Sequence, residues 1–338
     1  MITLPELPTT LPLPELQFPV PSVIHPGADR IEEQLARWAT DLHLLDDECA
    51  ARRFAHAQFG RFSASCHPRA ADLEVAAAWN ALMWLVNDVI DEQQGSDEAM
   101  LDLAHDLLAQ MPIYLHAPRP TQPMTRAMAD LCRMAPTQSP HWRAQIASHF
   151  RTALACALQT RHHRAHPEEG NAGLQAYIRR RRQHSGTQMS LDLIELGHEV
   201  VPVIADSDLN LDIRLQAANI TGWDNDLWSL PKDHNNNDPV NLVVVLFLSR
   251  GGTWEQALAT ATSMTEEAIS DFFTACDDLR CARPLYGTDD SEWGQLEDYL
   301  TGLADWLAGT IRWHAESNRF WDTARIPWDQ SERLLPGP

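Results

Sequence analysis

Asn225-Asp226-Leu227-Trp228-Ser229-Leu230-Pro231-Lys232-Asp233 places an amide, a hydroxyl and a carboxylate at positions 225, 229 and 233. Steps of four fall on one face of an α-helix. Three short oxygen-bearing side chains stacked along such a face, with Lys232 beside the last, suit a core poorly. They suit a hard divalent cation held against a phosphate, because magnesium takes a few protein oxygens together with waters and phosphate oxygens. The stretch therefore argues for a helix and for metal-assisted diphosphate chemistry.

Outward from this segment the pattern stays helical. From Arg30 onward, segments rich in Ala, Leu, Glu, Gln and Arg recur between short breaks such as Cys66-His67-Pro68, Gln94-Gly95-Ser96-Asp97 and His166-Pro167-Glu168-Glu169-Gly170-Asn171. Alternation of strand type is scarce. Val200-Val201-Pro202-Val203-Ile204 and Val243 to Leu248 are β-branched, but the second is also compatible with a buried helix. The expectation is an all-α, single-domain bundle of roughly ten helices or more, with residues 1–28 as an extended amino-terminal arm, 29–325 as the helical domain and 326–338 as a tail.

Composition narrows the partners. With 26 basic and 47 acidic residues the formal charge is −21, which repels nucleic acid and anionic lipid. An anionic substrate would need metal ions to bridge it to such a surface. The 6 cysteines include no Cys-x-x-Cys pair and no zinc-type spacing, which fits reduced thiols in a cytoplasm. Met1 to Pro26 lacks the basic start and unbroken apolar core of a secretory signal. The longest unbroken apolar run, Leu242 to Leu248, is too short to span a bilayer, so no membrane insertion is expected.

Two further constellations carry chemistry. Trp79 to Val86 is strongly apolar and runs into Asn87-Asp88-Val89-Ile90-Asp91-Glu92. On one helix Asn87 and Asp91 share a face, and carboxylates at the end of a buried helix must reach solvent or meet cations. An ordinary acidic helix end is the plain alternative, although negative charge at a C-terminus opposes the helix dipole. The run Arg179-Arg180-Arg181-Arg182 follows Leu174-Gln175-Ala176-Tyr177-Ile178 and ends at His184-Ser185-Gly186. It reads either as a solvated helix face or as cations at a helix break, where exposed backbone amides and guanidinium groups contact anions. Two oxygen-rich helix faces with arginines at 181 or 182 and at 319 are what a diphosphate clamp with three magnesium ions requires.

With these parts assembled, the sequence resembles the bacterial class I terpene synthases, from Phe18-Pro19 to Arg319-Phe320. The resemblance rests on the apolar helix leading to the acidic motif, on the 181–186 break, on Asn225-Asp226-x-x-Ser229-x-x-Lys232-Asp233 followed by Asp238-Pro239-Val240-Asn241-Leu242-Val243, and on the ending Trp313-His314-Ala315-Glu316-Ser317-Asn318-Arg319-Phe320. It implies the class I terpenoid synthase helical bundle. It also implies that Asn225, Ser229 and Asp233 chelate one Mg2+ while Asn87, Asp88 and Asp91 hold two more. Arg181 is implied as diphosphate sensor, with Arg182 the alternative one residue on. Ser185 falls near the position whose carbonyl helps trigger ionisation, and Lys232 and Arg319 are implied to grip diphosphate oxygens. This chain departs from the family pattern at Asn87, where aspartate is usual, at Asp233 for glutamate, at Phe320 for tyrosine and at Ser185 for glycine.

The implied reaction is Mg2+-dependent ionisation of a linear prenyl diphosphate, foremost farnesyl diphosphate, and cyclisation of the resulting carbocation. Geranyl or geranylgeranyl diphosphate as substrate, and a non-catalytic diphosphate-binding protein, are the alternatives. Phe59, Phe62, Trp84, Trp223, Trp313 and Phe320 are the expected substrate-facing aromatic residues, since a desolvated ring face stabilises a cation by about 2 kcal/mol. Dimers occur in the family, so a homodimer is the assembly that the resemblance allows.

Overall fold

A computed structural model describes residues 4–8, 11–45, 47–91, 96–111, 118–134, 138–165, 173–184, 186–196, 199–235 and 238–317. Among the described residues the regular structure is helical, with no strand. The helices are α1 (Ala28–Asp41), α2 (Glu48–Ala57), α3 (Phe59–Cys66), α4 (Leu73–Asp91), α5 (Asp97–Ala109), α6 (Pro123–Met134), α7 (Pro140–Ala165), α8 (Gly173–His184), α9 (Thr187–Asp192), α10 (Pro202–Ala205), α11 (Asp208–Asn235), α12 (Leu242–Arg250), α13 (Trp254–Cys281), α14 (Arg283–Tyr286) and α15 (Asp290–Glu316). A single 3-10 turn, Leu193–Glu195, extends α9.

Local chemistry sets several of these boundaries. Thr253 with Gln256 and Asp289 with Glu292 form reciprocal capping boxes at the starts of α13 and α15. Asn241 caps α12 by accepting the backbone N–H of Val243 at 2.9 Å, which starts a helix on a run of β-branched residues. Helix thus takes up both β-branched stretches: 202–205 is α10, and 242–250 is α12, whose first five residues, Leu242 to Leu246, are buried.

The buried side chains divide into two apolar clusters. One is built mainly from α1 to α7 and includes Phe59 and Trp79; the other is built from α8, α11, α12, α13 and α15 and includes Phe62, Trp223 and Trp313. Trp84 of α4 packs against both, which puts it at their seam. Helices α3 and α15 cross closely there, and Gly309 permits it: a Cβ at that position would collide with the carbonyl of Ser65.

Helix α4 is apolar along most of its length because the fold encloses it. Its span Leu73–Ile90 is long and apolar enough to cross a membrane, with mean hydropathy 1.2, and 72% of that window is buried inside the protein. A search for unbroken apolar runs passes over this helix, since Glu74, Asn80, Asn87 and Asp88 interrupt it.

Ahead of α1 the described residues form neither helix nor strand. Leu4 and Leu16 are nevertheless buried against the second cluster, and Phe18 meets Phe273 with ring centroids 5.5 Å apart. The Pro5 carbonyl lies 2.7 Å from His234 Nε2, on the last turn of α11.

Candidate active site

The last turn of α8 aims Arg181 across α11. One guanidinium nitrogen donates to the Gly222 carbonyl at 3.1 Å and to Asn225 Oδ1 at 2.8 Å, and pairs with Asp226 Oδ1 at 2.8 Å. Gly222 makes room for it, since a Cβ there would stand 3.0 Å from Arg181 Cγ. Burial opposes the guanidinium charge, but Asp226, Tyr177 and Asp233 more than offset this and hold it above its ordinary value. Its Nε is buried and meets no acceptor among the described residues. Arg182, the alternative sensor, points elsewhere: its Nε donates to Asn219 Oδ1 at 2.8 Å, a turn and a half earlier on α11.

Asp226 is the hinge of this junction. It accepts the Tyr177 hydroxyl from α8 and the Leu242 backbone N–H from α12 at 2.8 Å, in addition to Arg181. Burial pushes its carboxyl up to about 6 against the pull of Arg181. The same burial, reinforced by the neighbouring Asp226 charge, holds the Tyr177 phenol well above its usual range.

One turn further along, Ser229 Oγ donates to Asp233 Oδ2 at 2.5 Å. Asn241 Nδ2 reaches the same carboxylate oxygen at 2.9 Å and the Asp226 carbonyl at 2.7 Å, so the cap of α12 also positions the stripe on α11. Asn225, Ser229 and Asp233 therefore lie together with Arg181 on one flank of α11. Burial raises the Asp233 carboxyl, the Asp238 charge adds to this, and Lys232, Ser229 and Asn241 act in the opposite direction. An amide, a hydroxyl and a carboxylate strained toward neutrality by burial form an all-oxygen donor set that fits a hard divalent cation. Among the described residues there is no group of three or more His, Cys, Asp or Glu side chains arranged to hold a metal, so the donors here are of the mixed kind.

Helix α4 carries the second set expected from the sequence. Asn87 and Asp88 lie half-buried in its last turn, and Asp91 ends it. The side chain of Asp91 lies outside the described residues, as do Ser185, Arg319, Phe320 and the 326–338 tail. A turn before Asn87, Trp84 joins an aromatic box: its ring centroid is 6.1 Å from Phe59, 6.2 Å from Phe62 and 5.9 Å from Trp313, while Phe62 and Trp313 are 5.0 Å apart. Trp223 is buried in the second cluster, and no ring contact joins it to this box among the described residues.

A buried pair links the box to α11. His314 Nδ1, next to Trp313, lies 2.6 Å from Asp224 Oδ2, next to Asn225, and Asp224 also accepts the Trp228 indole N–H at 3.2 Å. Burial raises the Asp224 carboxyl, opposed by His314. Tyr177, Asp226, Asn241 and His314 lie within quoted motifs and Asp224 directly precedes one, yet sequence reasoning gave none of them a role. Only Asn241 carries a local signal, as a capping residue immediately before an apolar run.

Comparisons with known proteins bear on the family and the fold. Residues 78–271, more than half of the chain, match the family described as terpene synthase family 2, C-terminal metal binding. Pristinol synthase of Streptomyces pristinaespiralis is 24% identical over 331 residues, covering 93% of this chain and 88% of its own. (+)-T-muurolol synthase of Roseiflexus castenholzii, described as cyclising (2E,6E)-farnesyl diphosphate, is 28% identical over 301 residues, covering 85% and 87%. The crystal structure of α-eudesmol synthase superposes with a TM-score of 0.81 at 22% identity, covering 89% of this chain and 99% of that one. An all-α bundle, matched by this family over more than half of its length and by relatives and solved structures over most of it, is a member of the bacterial class I terpene synthase family.

Proposed function

We propose that this terpene cyclase takes farnesyl diphosphate, in a reaction dependent on three magnesium ions, and converts it to a cyclic sesquiterpene hydrocarbon or alcohol with release of diphosphate. The observation that carries the reading is the contact of Trp84 with Trp313 and of the adjoining His314 with Asp224, which ties the aromatic box on α4 and α15 to the helix that carries the oxygen stripe. The farnesyl chain length draws on the printed activity of the T-muurolol relative.

When bound, divalent cations neutralise diphosphate oxygens and so make the group a better leaving group. The residues in the proposed holding set are Asn225, Ser229 and Asp233 on one side and Asn87, Asp88 and Asp91 on the other. Arg181, Lys232 and Arg319 would bind diphosphate oxygens, with the Arg181 Nε and its fork supplying donors where negative charge develops. The allylic carbon–oxygen bond then breaks, its electron pair leaving with diphosphate and the positive charge staying on carbon. Phe59, Phe62, Trp84 and Trp313 keep water from that cation and offer it ring faces; Trp223 and Phe320 complete the proposed apolar lining. Cyclisation ends when a proton leaves a neighbouring carbon or when water adds, and the departed diphosphate is the base at hand. The enzyme so described works in the cytoplasm on a substrate delivered from solution.

Purified protein incubated with Mg2+ and geranyl, farnesyl or geranylgeranyl diphosphate is expected to give cyclic products by gas chromatography from the farnesyl substrate. No diphosphate release from any of the three would sink the proposal. Formation of a longer prenyl diphosphate on adding isopentenyl diphosphate would replace it with chain elongation. Asn225→Ala is expected to abolish turnover with helical circular dichroism unchanged.

A further inference from the structure

We infer that Arg161 is a positioning residue for the reaction: from α7 it fixes the end of α4 that presents Asn87, Asp88 and Asp91. The inference rests on the proposed reading of that helix end as metal-holding. Arg161 lies on a helix outside every motif considered above, and its side chain is only 8% exposed. Its guanidinium reaches in two directions. One nitrogen donates to the Ile90 carbonyl at 3.4 Å, and Nε donates to Asp97 Oδ1 at 2.9 Å. Ile90 is the penultimate residue of α4 and Asp97 is the first of α5, so a single planar fork joins the end of one helix to the start of the next.

The physical need for such a fork follows from the charge pattern of α4. The last carbonyls of a helix have no partner within it, and their partial negative charge favours a cation nearby. This helix ends instead with Asp88 and Asp91, which oppose the dipole, and its last turn holds no basic residue of its own. Without an outside cation the end would loosen, and the donor oxygens would have to be ordered at the cost of metal affinity. Arg161 reaches this end at the Ile90 carbonyl, where it stiffens the backbone of the turn that presents the side-chain oxygens. A lysine could supply the charge but not the two-directional fork.

The inference makes a prediction whose sign is its test. If Arg161 were merely a positive charge near a metal site, its removal would tighten cation binding or leave it unchanged. As a positioning group, its removal loosens binding despite the gain in net negative charge. Mn2+ is titrated calorimetrically into full-length wild type, Arg161→Gln and Arg161→Lys without substrate, with thermal melts alongside. Arg161→Gln is expected to bind Mn2+ about tenfold more weakly, the scale seen when a group supporting metal ligands is lost. Arg161→Lys, which keeps the charge, is expected to weaken binding as well, and the Mg2+ concentration for half-maximal turnover rises in both. Unchanged or tighter Mn2+ binding by a folded Arg161→Gln overturns the inference. Should that variant fail to fold, wild-type affinity in Arg161→Lys overturns it equally. The titration contains no substrate, so a wild type that binds Mn2+ but turns over none of the three prenyl diphosphates refutes the proposed function and leaves this comparison standing.

Discussion

Arg181 and Arg182 are neighbours with the same charge, yet they face different partners. Arg181 bonds to Asn225 and Asp226, whereas Arg182 bonds to Asn219. Arg181→Gln is therefore expected to lower kcat about a hundredfold or more, the scale of losing a preorganised donor to a developing anion. Arg182→Gln is expected to stay within a few-fold of wild type. Steady-state kinetics with farnesyl diphosphate compares them directly, and equal losses would refute the assignment. The sequence could not separate the two residues, because a one-residue shift in register at the 185–186 break exchanges them. By contrast, positions 225, 229 and 233 were legible, since their grouping is a local consequence of helical period. Tyr177 was illegible for the opposite reason: its partner Asp226 is 49 residues away, and only packing of α8 on α11 brings them together.

At the scale of elements, Asn241 does two jobs whose combination no sequence pattern announces. It starts α12 and, through its amide nitrogen, steadies both the Asp226 carbonyl and Asp233 on α11. Asn241→Ala removes a cap and leaves buried acceptors short of a donor, for a combined loss of about 2–4 kcal/mol by chemical denaturation. Asn241→Ser, which keeps a capping oxygen, should recover part of the stability and little of the turnover. Most helices could be read from their Ala- and Leu-rich segments. The 243–248 run could not be decided from its β-branched residues alone, and the deciding facts are its cap and the burial of Leu242 to Leu246. All four residues of the aromatic box were singled out in the sequence, but their meeting depends on the close crossing of α3 and α15 that Gly309 permits.

Across the whole molecule, buried ionisable groups couple stability to pH in opposite directions. His67 is enclosed beside Asn80, and burial lowers its imidazole from 6.5 to about 3. The unfolded chain therefore binds a proton that the folded chain refuses between those values. Stability from this group is present above pH 6.5 and is lost as pH falls, by up to about 1.4 kcal/mol per pH unit. Glu195, buried near Asp192 and Arg214, is pushed from 4.5 up to about 7. Its contribution is present below pH 4.5 and is lost as pH rises toward 7. Denaturant melts from pH 8 to pH 4 should show His67→Gln, which keeps an acceptor for Asn80, declining less steeply below pH 6.5 than wild type. Identical slopes would show that His67 is not the group responsible. None of this was visible in the sequence, where His67 stands in a break between helices and Glu195 in an unremarked turn. Their burial arises only when α3, α4, α7, α9, α11 and α15 close over them.

The contact between Pro5 and His234 spans 229 positions of chain and ends one residue beyond Asp233. The segment around Pro5 is thereby tethered to the rim of the proposed metal-holding face. Truncating the leading segment, or burdening it with a purification tag, would be felt at that rim, and preparations differing only at their beginnings should not be assumed to share one metal requirement.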